Sequence, residues 1–288
     1  MPYAVCSDMN RTALTAGSLL VCLLLTLSAL AGLTLGNFIK KCSDHEFMVY
    51  EREESLSLEE GYGIQLSVNS IKLLNKIQFD KLENDEKFNP DKISFYSVKN
   101  SKKICELNIS DFNTENCKYT TLKRSSLINF LKKDLEKEIK FDHTISKIEQ
   151  QDQIVKISFE NNEIYEFDYL IISDGVFSKS KNLLSKNQIE PKFDGTLAIR
   201  GIIPSHSIVA DKKNISLFLG SNFHYVIYPV SPYGDLNFIA VMKYKLSADE
   251  QKNYSLFNDK LFIETPTLNF LPLFLFFLMT SNDCLDEI

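Results

Sequence analysis

The sequence predicts an α/β protein that combines a βαβ unit with an antiparallel sheet. A short apolar run at residues 47–50 has the length of a buried strand and stops at the charged pair Glu51-Arg52. Later in the chain, four strand-like runs follow one another, separated by turn residues, at 196–203, 215–220, 224–230 and 236–245. The first pattern is typical of a parallel sheet, and the second indicates consecutive antiparallel strands.

Composition allows one large domain or two smaller ones and argues against a nucleic-acid partner. The chain has 288 residues, of which 44% are hydrophobic and 11% aromatic, so it can bury a substantial core. Its formal charge is −6, and it has no basic patch with interleaved aromatic residues. The 6 cysteines lack a C-x-x-C pair, which argues against a zinc site and, at this length, against a disulfide scaffold. The 4 histidines form no recognisable metal-ligand motif.

Arginine is rare in this chain. Lys and Arg together number 32, but the arginines are only Arg11, Arg52, Arg124 and Arg200. Because arginine offers a planar, bidentate donor that lysine lacks, its retention in a lysine-rich chain indicates a contact with a phosphate or carboxylate. Chance placement is the alternative, although three of the four lie in segments that other patterns also single out.

The N-terminal stretch has two interpretations. No charged residue lies between Arg11 and Lys40, and residues 18–31 form a strongly apolar run that ends in Ala29-Leu30-Ala31. This pattern fits a secretory signal peptide with an A-x-A cleavage site, and the uncharged span is also long enough for a transmembrane helix. In the second interpretation the run is the first strand of the βαβ unit, and residues 33–41 form the helix after a phosphate-binding turn.

Glu51 is a candidate ribose ligand. An acid at the tip of a buried strand, about 20 residues after a glycine-bearing turn into a helix, suits a hydrogen bond to a ribose hydroxyl. The upstream glycine here is Gly32. A second glycine-bearing loop at 61–67 then leads into a helix for which Ser67 is the predicted N-cap.

The middle of the chain predicts further strands and one clear amphipathic helix. Residues 93–98 and 104–109 have strand composition, and residues 123–131 open a helix whose apolar face consists of Leu127, Phe130, Leu131, Leu135 and Ile139. Residues 155–159 alternate, Asn161-Asn162 makes a turn, and 164–167 return. A buried strand at 169–172 then runs into Asp174-Gly175.

These motifs resemble those of the FAD-dependent aromatic-ring hydroxylases, the single-component flavoprotein monooxygenases related to salicylate and ubiquinone-pathway hydroxylases. Glu51-Arg52 matches the family's strand end, and residues 61–66 with Asn69 match its G-x-G-I-x-L segment and the following helix. Asp174, Gly175 and Ser178 match its D-G-x-x-S-x-x-R signature, with Lys181 in place of the final Arg. The resemblance covers residues 31 to about 246.

The resemblance implies a glutathione-reductase-type FAD-binding βαβ domain interleaved with an antiparallel substrate-binding β-sheet. It implies FAD as cofactor, NAD(P)H as reductant and a small aromatic compound as substrate, which is hydroxylated after oxygen activation at the flavin. The cofactor-binding residues carried over are Gly32, Glu51, Arg52, Gly63, Gln65, Arg124, Asp174 and Gly175. Arg200 is a candidate for binding substrate or nicotinamide phosphate, with simple exposure to water as the alternative. No catalytic residue and no metal site are assigned.

The sequence departs from the family at both ends. Leu27 and Ala29 replace the first two glycines of the family's G-x-G-x-x-G turn, and the C-terminal part lacks the family's G-D segment, as if truncated. We therefore divide the chain into an apolar leader (1–30), a FAD-binding domain with inserted strands (31–192), part of a substrate sheet (193–250) and a divergent tail (251–288). The resemblance implies a cytoplasmic location, and we expect membrane association if the N-terminal apolar segment is retained. The alternatives are a non-catalytic flavoprotein fragment and a flavin-dependent reductase or halogenase.

Overall fold

The computed structural model describes residues 21–24, 29–56, 62–175, 177–185, 188–203 and 211–245. Its strands and helices, in chain order, are β1 (Val21–Leu24), α1 (Ala29–Cys42), β2 (Val49–Tyr50), β3 (Gly63–Leu66), α2 (Val68–Leu74), β4 (Lys87–Phe88), β5 (Lys92–Ser97), β6 (Lys103–Asn108), β7 (Thr120–Lys123), α3 (Arg124–Lys132), β8 (Ile139–Lys140), β9 (Ile145–Gln151), β10 (Ile154–Phe159), β11 (Ile164–Phe167), β12 (Tyr169–Ile172), α4 (Ser180–Leu184), β13 (Thr196–Ile203), β14 (Ile215–Leu219), β15 (Phe223–Pro229) and β16 (Leu236–Lys243).

A parallel sheet with the strand order β12-β1-β2-β8 organises the first unit. β1 pairs with β12 on one side and with β2 on the other, and α1 makes the crossover from β1 to β2. The predicted βαβ unit is therefore present. The apolar run does contain its first strand, but the helix begins at Ala29, four positions before the predicted start at 33.

The interpretations of the N-terminus as a signal peptide or membrane anchor fall mostly outside the described residues, which exclude 1–20 and 25–28. β1 lies within residues 1–30, which were predicted to form an apolar leader, so the parallel sheet begins inside that segment. A four-residue strand at this place favours the flavoprotein interpretation over a transmembrane helix. Among the described residues, the helices are too short or too polar to cross a lipid bilayer.

α1 and α3 pack together over the main apolar core. Its buried members include Leu33, Val49, Ile71, Leu74, Leu122, Leu127, Ile128, Leu131 and Leu135. A β-carbon at Gly36 would lie 3.0 Å from Leu135 Cδ1 and 3.1 Å from Phe47 Cε2, so glycine permits the close approach of α1. The Asn37 side-chain amide donates to the carbonyl of Leu131 at 2.7 Å and ties the two helices together.

A three-stranded antiparallel layer, β11-β10-β9, packs against Tyr50 at the end of β2. The Tyr50 ring is 1% exposed and stacks on Phe159 with a centroid distance of 4.8 Å. The His143 ring lies 5.1 Å from the same ring. The residue before Glu51 is thus fixed by an aromatic cluster, which holds the strand end in place.

The second unit is a six-stranded sheet with the order β13-β16-β15-β14-β5-β6. The bounds predicted for its last four strands agree with the structure to within two residues. The prediction that the sheet is antiparallel is incomplete, because β5 pairs with β14 in parallel. β5 and β6, predicted as insertions in the FAD-binding domain, belong to this sheet.

Two local predictions are wrong. Residues 63–66, predicted as a loop, form β3, because their backbone pairs antiparallel with β7 from Gly63 to Leu66. The helix that begins at Arg124 ends at Lys132, and Ile139 lies in β8, where it pairs with Val49. Four of the five predicted face residues are buried nevertheless, Phe130 being only half-buried, since strand and helix contribute to the same core.

The ion pairs on β5 and β6 predict a specific acid sensitivity. Hydrogen bonds from Lys103 and Lys92 hold the pKa of Glu106 at about 2, below its ordinary 4.5. A carboxyl group with a lowered folded-state pKa contributes stability above its unfolded pKa and loses that contribution as the pH falls towards the folded value. We expect Glu106→Gln to reduce the loss of stability between pH 4.5 and about 2, measured as the urea midpoint at each pH. Glu136→Gln, at an exposed position without an ion pair among the described residues, is the control and should follow the parent curve.

Candidate functional site

The carboxyl ends of the parallel strands form the first half of the candidate site. β1 lies between β12 and β2, and all three run in the same direction. Glu51 directly follows β2, and Asp174 comes two residues after β12. The two acids therefore lie on either side of the end of β1. The carboxyl ends of the strands, which we call the parallel-sheet edge, are the usual place for a ligand in an open α/β sheet.

The loop that carries Glu51 is held by backbone hydrogen bonds. Glu51 N donates to the carbonyl of Lys140 at 2.8 Å, and His143 N donates to the carbonyl of Glu51 at 2.9 Å. The Glu51 side chain is 4% exposed, and one carboxylate oxygen accepts from Glu53 N at 3.3 Å. A buried acid at a strand end with a fixed backbone can present its carboxylate in a defined direction.

The His143 side chain stabilises this loop through contacts of both ring nitrogens. Its ring contacts the carbonyl of Phe141 through Nδ1 and the carboxylate of Glu163 through Nε2, the latter at 2.8 Å. Hydrogen bonds from Tyr165 and then from His143 lower the pKa of Glu163. No local sequence pattern predicted this cluster, because its members lie on three different strands or loops.

Asp174 and Gly175 lie in the turn between β12 and α4. The Asp174 side chain is 7% exposed and accepts from Ser180 N, at the start of α4, at 3.2 Å. Gly175 has φ +76, a left-handed conformation that favours glycine, and the space beside its α-carbon is open. Ser178 Oγ accepts from Lys181 N at 3.1 Å. The Asp-Gly turn therefore leads into a short helix and not into a hairpin.

Gly32 and Arg52 occupy the same half of the molecule. Gly32 is buried within α1, four residues before Gly36. Arg52 is half-buried, and its Nε lies 3.0 Å from Glu53 Oε1. Such a solvent-exposed pair contributes about 0.5 kcal/mol, so an approaching phosphate can compete with it.

The second half of the site lies where β3 and β7 meet the six-stranded sheet. Arg124 N donates to the carbonyl of Tyr62 at 3.0 Å, and the Arg124 guanidinium lies 5.8 Å from the centre of the Tyr62 ring. Arg200, on β13, places its guanidinium 5.1 Å from the same ring centre. Two of the four arginines, distant in sequence, thus share one aromatic ring.

Two tyrosines lie near this junction. Burial raises the pKa of Tyr228 on β15, and the charge of Arg200 acts in the opposite direction. Tyr119 Oη donates to Gln65 Oε1 at 2.7 Å. Gln65, predicted to line the flavin pocket, uses its side chain for this contact; the predicted flavin contact stays a prediction.

Gly63 allows β3 to pack closely against the six-stranded sheet and hydrogen-bonds to it. Its N–H donates to Asn237 Oδ1 at 2.5 Å, and an added β-carbon would lie 2.5 Å from Val230 Cγ1. Nearby, Thr121 Oγ1 donates to the carbonyl of Pro229 at 2.5 Å, and Lys123 Nζ lies 3.0 Å from Asp235 Oδ2. Gly63 therefore has a packing role here, and its N–H is already engaged.

One face of the six-stranded sheet continues beyond this junction. Residues that oppose each other in antiparallel pairing point to the same face, so the register places six side chains together. We call this surface the sheet platform; its members are Ala198, Arg200, His224, Val226, Ile239 and Val241. All six are half-buried or exposed, and His224 is the imidazole among them.

The structure brings the predicted residues into two groups. Glu51, Arg52, Asp174 and Gly175 lie near the parallel-sheet edge, and Gly63, Gln65, Arg124 and Arg200 lie at the junction with the sheet platform. Sequence reasoning missed Tyr62, Tyr228, Asn237 and His224. Tyr62 lies within the motif at residues 61–66, but only the fold shows that both arginines approach its ring. No cluster of His, Cys, Asp and Glu among the described residues is suited to a metal ion.

Comparisons with characterised proteins agree with the predicted family resemblance. Over 165 residues the chain is 25% identical to 6-hydroxynicotinate 3-monooxygenase from Pseudomonas fluorescens, covering 56% of this chain and 42% of that protein. Over 177 residues it is 22% identical to 6-hydroxynicotinate 3-monooxygenase from Bordetella bronchiseptica, covering 60% and 46%. The match thus spans less than half of each relative. No protein-family model matches the chain.

Solved structures show the same fold at low sequence identity. The 2,6-dihydroxypyridine-3-hydroxylase from Arthrobacter nicotinovorans superposes with a TM-score of 0.66 and 16% identity, covering 81% of this chain and 58% of that one. HpxO from Klebsiella pneumoniae, solved with FAD and uric acid, gives 0.67 and 14%, covering 82% and 60%. These structures show that the chain shares their fold, and the sequence matches are to proteins named as monooxygenases, in agreement with the predicted resemblance.

Proposed function

We propose that this chain, a relative of the FAD-dependent aromatic-ring hydroxylases, binds FAD and hydroxylates a small aromatic or nitrogen-heteroaromatic acid with NAD(P)H as reductant. The observation that carries the proposal is that the fold gathers the predicted residues into two groups. Glu51 and Asp174 come together at the carboxyl ends of the parallel strands, and Arg124 and Arg200 both approach the Tyr62 ring beside the sheet platform. The relatives act on 6-hydroxynicotinate by name, and a solved neighbour contains FAD and uric acid.

The residues at the parallel-sheet edge fit the adenosine half of FAD. The buried Glu51 carboxylate suits the ribose hydroxyls, and α1, a helix of 14 residues without an acid in its first turn, suits the pyrophosphate. Arg52 adds a cation beside Glu51. Residues 25–28, which include Leu27 in place of one of the family's glycines, lie outside the described residues, so the fit is argued from the strand ends and the helix.

The residues where β3 and β7 meet the six-stranded sheet suit the rest of the cofactor and the substrate. Arg124 lies at the start of α3, Arg200 lies on the sheet platform, and the guanidinium groups of both approach the Tyr62 ring. Arg200 forms no ion pair among the described residues, so its charge is available to a carboxylate. The aliphatic side chains of the platform suit the faces of an aromatic ring.

The protein groups would bind, orient and exclude water, while bound FAD supplies the oxidation chemistry. Glu51 and Arg124 would hold the cofactor, Arg200 would orient the substrate's anionic group, and the aliphatic platform residues would keep water from the ring. His224 is placed to take or return the proton of a ring hydroxyl, because imidazole is the most common acid–base side chain and it lies on the same face as Arg200.

The test is an absorption spectrum of the purified full-length chain before and after addition of excess FAD. The proposal requires a protein-shifted flavin band that remains after gel filtration, followed by NADH or NADPH oxidation that 6-hydroxynicotinate accelerates. No retained flavin at high FAD would overturn the oxygenase proposal for this polypeptide and favour a non-catalytic flavoprotein fragment. Retained flavin without ring hydroxylation would favour a reductase or halogenase.

Replacing Glu51 tests the adenosine site separately. We expect Glu51→Gln to raise the Kd for FAD about tenfold, because the ribose loses a charged acceptor. The amide keeps the shape and the oxygen that accepts from Glu53 N, so the thermal midpoint of the apoprotein should change little. Glu54→Gln, at an exposed position in the same loop, should leave the Kd unchanged. Equal Kd values for the Glu51 variant and its parent would remove Glu51 from the cofactor site.

A further inference from the structure

The turn that begins at the end of β8 holds both backbone groups of Glu51. Glu51 N donates to the carbonyl of Lys140 at 2.8 Å, and His143 N donates to the carbonyl of Glu51 at 2.9 Å. Between these two contacts Asp142 has φ +58, a left-handed conformation that aspartate adopts more readily than most residues. The position of Glu51 at the parallel-sheet edge therefore depends on how firmly this turn keeps its shape.

The His143 ring anchors the turn at two points. Its Nδ1 contacts the carbonyl of Phe141 within the turn, and its Nε2 lies 2.8 Å from Glu163 Oε2. The ring packs against two aromatic side chains, with centroid distances of 5.1 Å to Tyr50 and 4.9 Å to Phe159. Because His143 is buried, water has little access to replace either contact.

Both polar partners of the His143 ring are hydrogen-bond acceptors. One is a backbone carbonyl and the other a carboxylate, and neither has a proton to donate when the carboxylate is ionised. A neutral imidazole carries one N–H, so it satisfies one acceptor and turns a lone pair towards the other. Both contacts are made only when the ring carries two N–H groups and a positive charge.

The surroundings of Glu163 favour its ionised form. Tyr165 Oη donates to Glu163 Oε2 at 2.8 Å, and Lys140 Nζ donates to Tyr165 Oη at 2.7 Å. The hydrogen bonds from Tyr165 and His143 lower the pKa of Glu163. The titratable side chains around the ring are thus Tyr50 on β2, Glu163 before β11 and, beyond Glu163, Tyr165 and Lys140. The acid in direct contact with the ring is Glu163.

From this geometry we propose that His143 is a positioning residue for FAD binding, which holds Glu51 in place when both of its ring nitrogens are protonated. The charged ring closes the turn through Phe141 and connects it to Glu163, and the backbone of the turn fixes Glu51. Loss of one ring proton removes one of the two contacts and lets the turn open. The inference rests on the proposed function for the identity of the ligand, whereas the closure of the turn is a property of the chain itself.

FAD should bind more tightly at the lower pH. If the closed turn favours both FAD and the charged ring, FAD binding takes up a proton, so the affinity falls as the pH rises through the range in which imidazole loses its charge. We expect the Kd for FAD, followed by flavin fluorescence, to rise about tenfold between pH 6 and pH 8. A Kd that is the same at both pH values would overturn the proposal.

Two substitutions keep a contact between residues 143 and 163 but remove the need for the charge. His143→Gln donates an amide N–H to Glu163 at every pH, and Glu163→Gln can donate to Nε2 of a neutral ring. Both variants should bind FAD with a Kd that hardly depends on pH. His45→Gln and Glu160→Gln, at exposed positions, are the matched controls and should keep the pH dependence of the parent. Weaker binding by the same factor at every pH in both test variants would indicate a merely structural role and contradict the proposal.

The ring protons are observed directly by NMR. The full-length chain has 4 histidines, so ¹⁵N-histidine labelling gives few ring signals, and His143→Gln assigns those of His143. As the pH is raised, bound FAD should delay the loss of the second ring proton, and Glu163→Gln should advance it. If neither FAD nor the substitution changes the pH at which that proton leaves, the ring charge is not coupled to the site.

Amide hydrogen exchange tests the turn without any ligand. In the apoprotein the protection factors of the Glu51 and His143 amides should fall about tenfold between pH 6 and pH 8, and they should stay constant in Glu163→Gln. Constant protection in the parent would refute the proposal even if FAD binds. If the parent binds no FAD but protection falls as expected, the proposed function fails, and the role of His143 in closing the turn on Glu51 is upheld.

Discussion

Gly63→Ala should lower the free energy of unfolding by about 2 kcal/mol, because the added methyl group has no room. Its carbon would lie 2.5 Å from Val230 Cγ1 and 2.8 Å from Asn237 Cβ, distances at which the strands must separate. Separation would also stretch the Gly63–Asn237 hydrogen bond, which is 2.5 Å long. Urea-induced unfolding followed by circular dichroism measures the change.

The control for this substitution is Gly201→Ala on β13. A β-carbon there meets no atom within 4 Å, so the change should cost little. If the two variants are equally stable, β3 does not approach the six-stranded sheet as closely as the structure shows. We also expect FAD to recover part of the lost stability in Gly63→Ala, since a ligand that binds only the folded chain stabilises it.

Arg200→Met should raise the KM for 6-hydroxynicotinate about 30-fold, with a smaller change in kcat. The guanidinium lies on the sheet platform, shares the Tyr62 ring with Arg124 and has no acidic partner among the described residues. Its removal therefore deletes a charge without leaving a buried carboxylate unpaired, so the thermal midpoint should be retained. Steady-state kinetics with the acid and its carboxamide measures the effect.

The Arg200 result distinguishes the two roles predicted for it. A raised KM for the acid alone assigns Arg200 to the substrate. A raised KM for NADPH with an unchanged KM for the acid assigns it to the nicotinamide phosphate instead. Lys147→Met, which removes an exposed charge paired with Glu149 outside both residue groups, is the matched control and should leave the KM for the acid and the KM for NADPH near the parent's values.

Sequence patterns predicted the elements whose burial follows a local period. β10, β11 and β12 and the four last strands of the six-stranded sheet appear within two residues of their predicted bounds. β7 and β9 were missed because they are short or polar: β7 consists of TTLK, and β9 is largely exposed with the sequence ISKIEQQ. Neither shows the alternation by which a strand is recognised.

The sequence predicted only those residues of the candidate site that follow a recognisable local pattern. Glu51 and Asp174 follow apolar runs, so a local pattern marks them as strand-end acids, and the fold brings them to one edge. The partners of Gly63, Gln65 and Arg200 come from strands that are remote in sequence. Asn237, for example, meets Gly63 across 174 residues, and no local pattern can report that contact.

The parallel pairing of β5 with β14 has a consequence for how the chain folds. Lys92 N donates to Asn214 Oδ1 across 122 residues, and the segment between them contributes two strands of the other sheet, β8 and β12. Neither sheet is therefore complete until the chain has also supplied strands to the other sheet. Contacts between residues so far apart in sequence slow folding. Because the sheets share the chain in this way, we expect them to fold in one cooperative transition. A cut between 192 and 193 would remove four of the six strands from one sheet, so the halves should not fold as independent fragments.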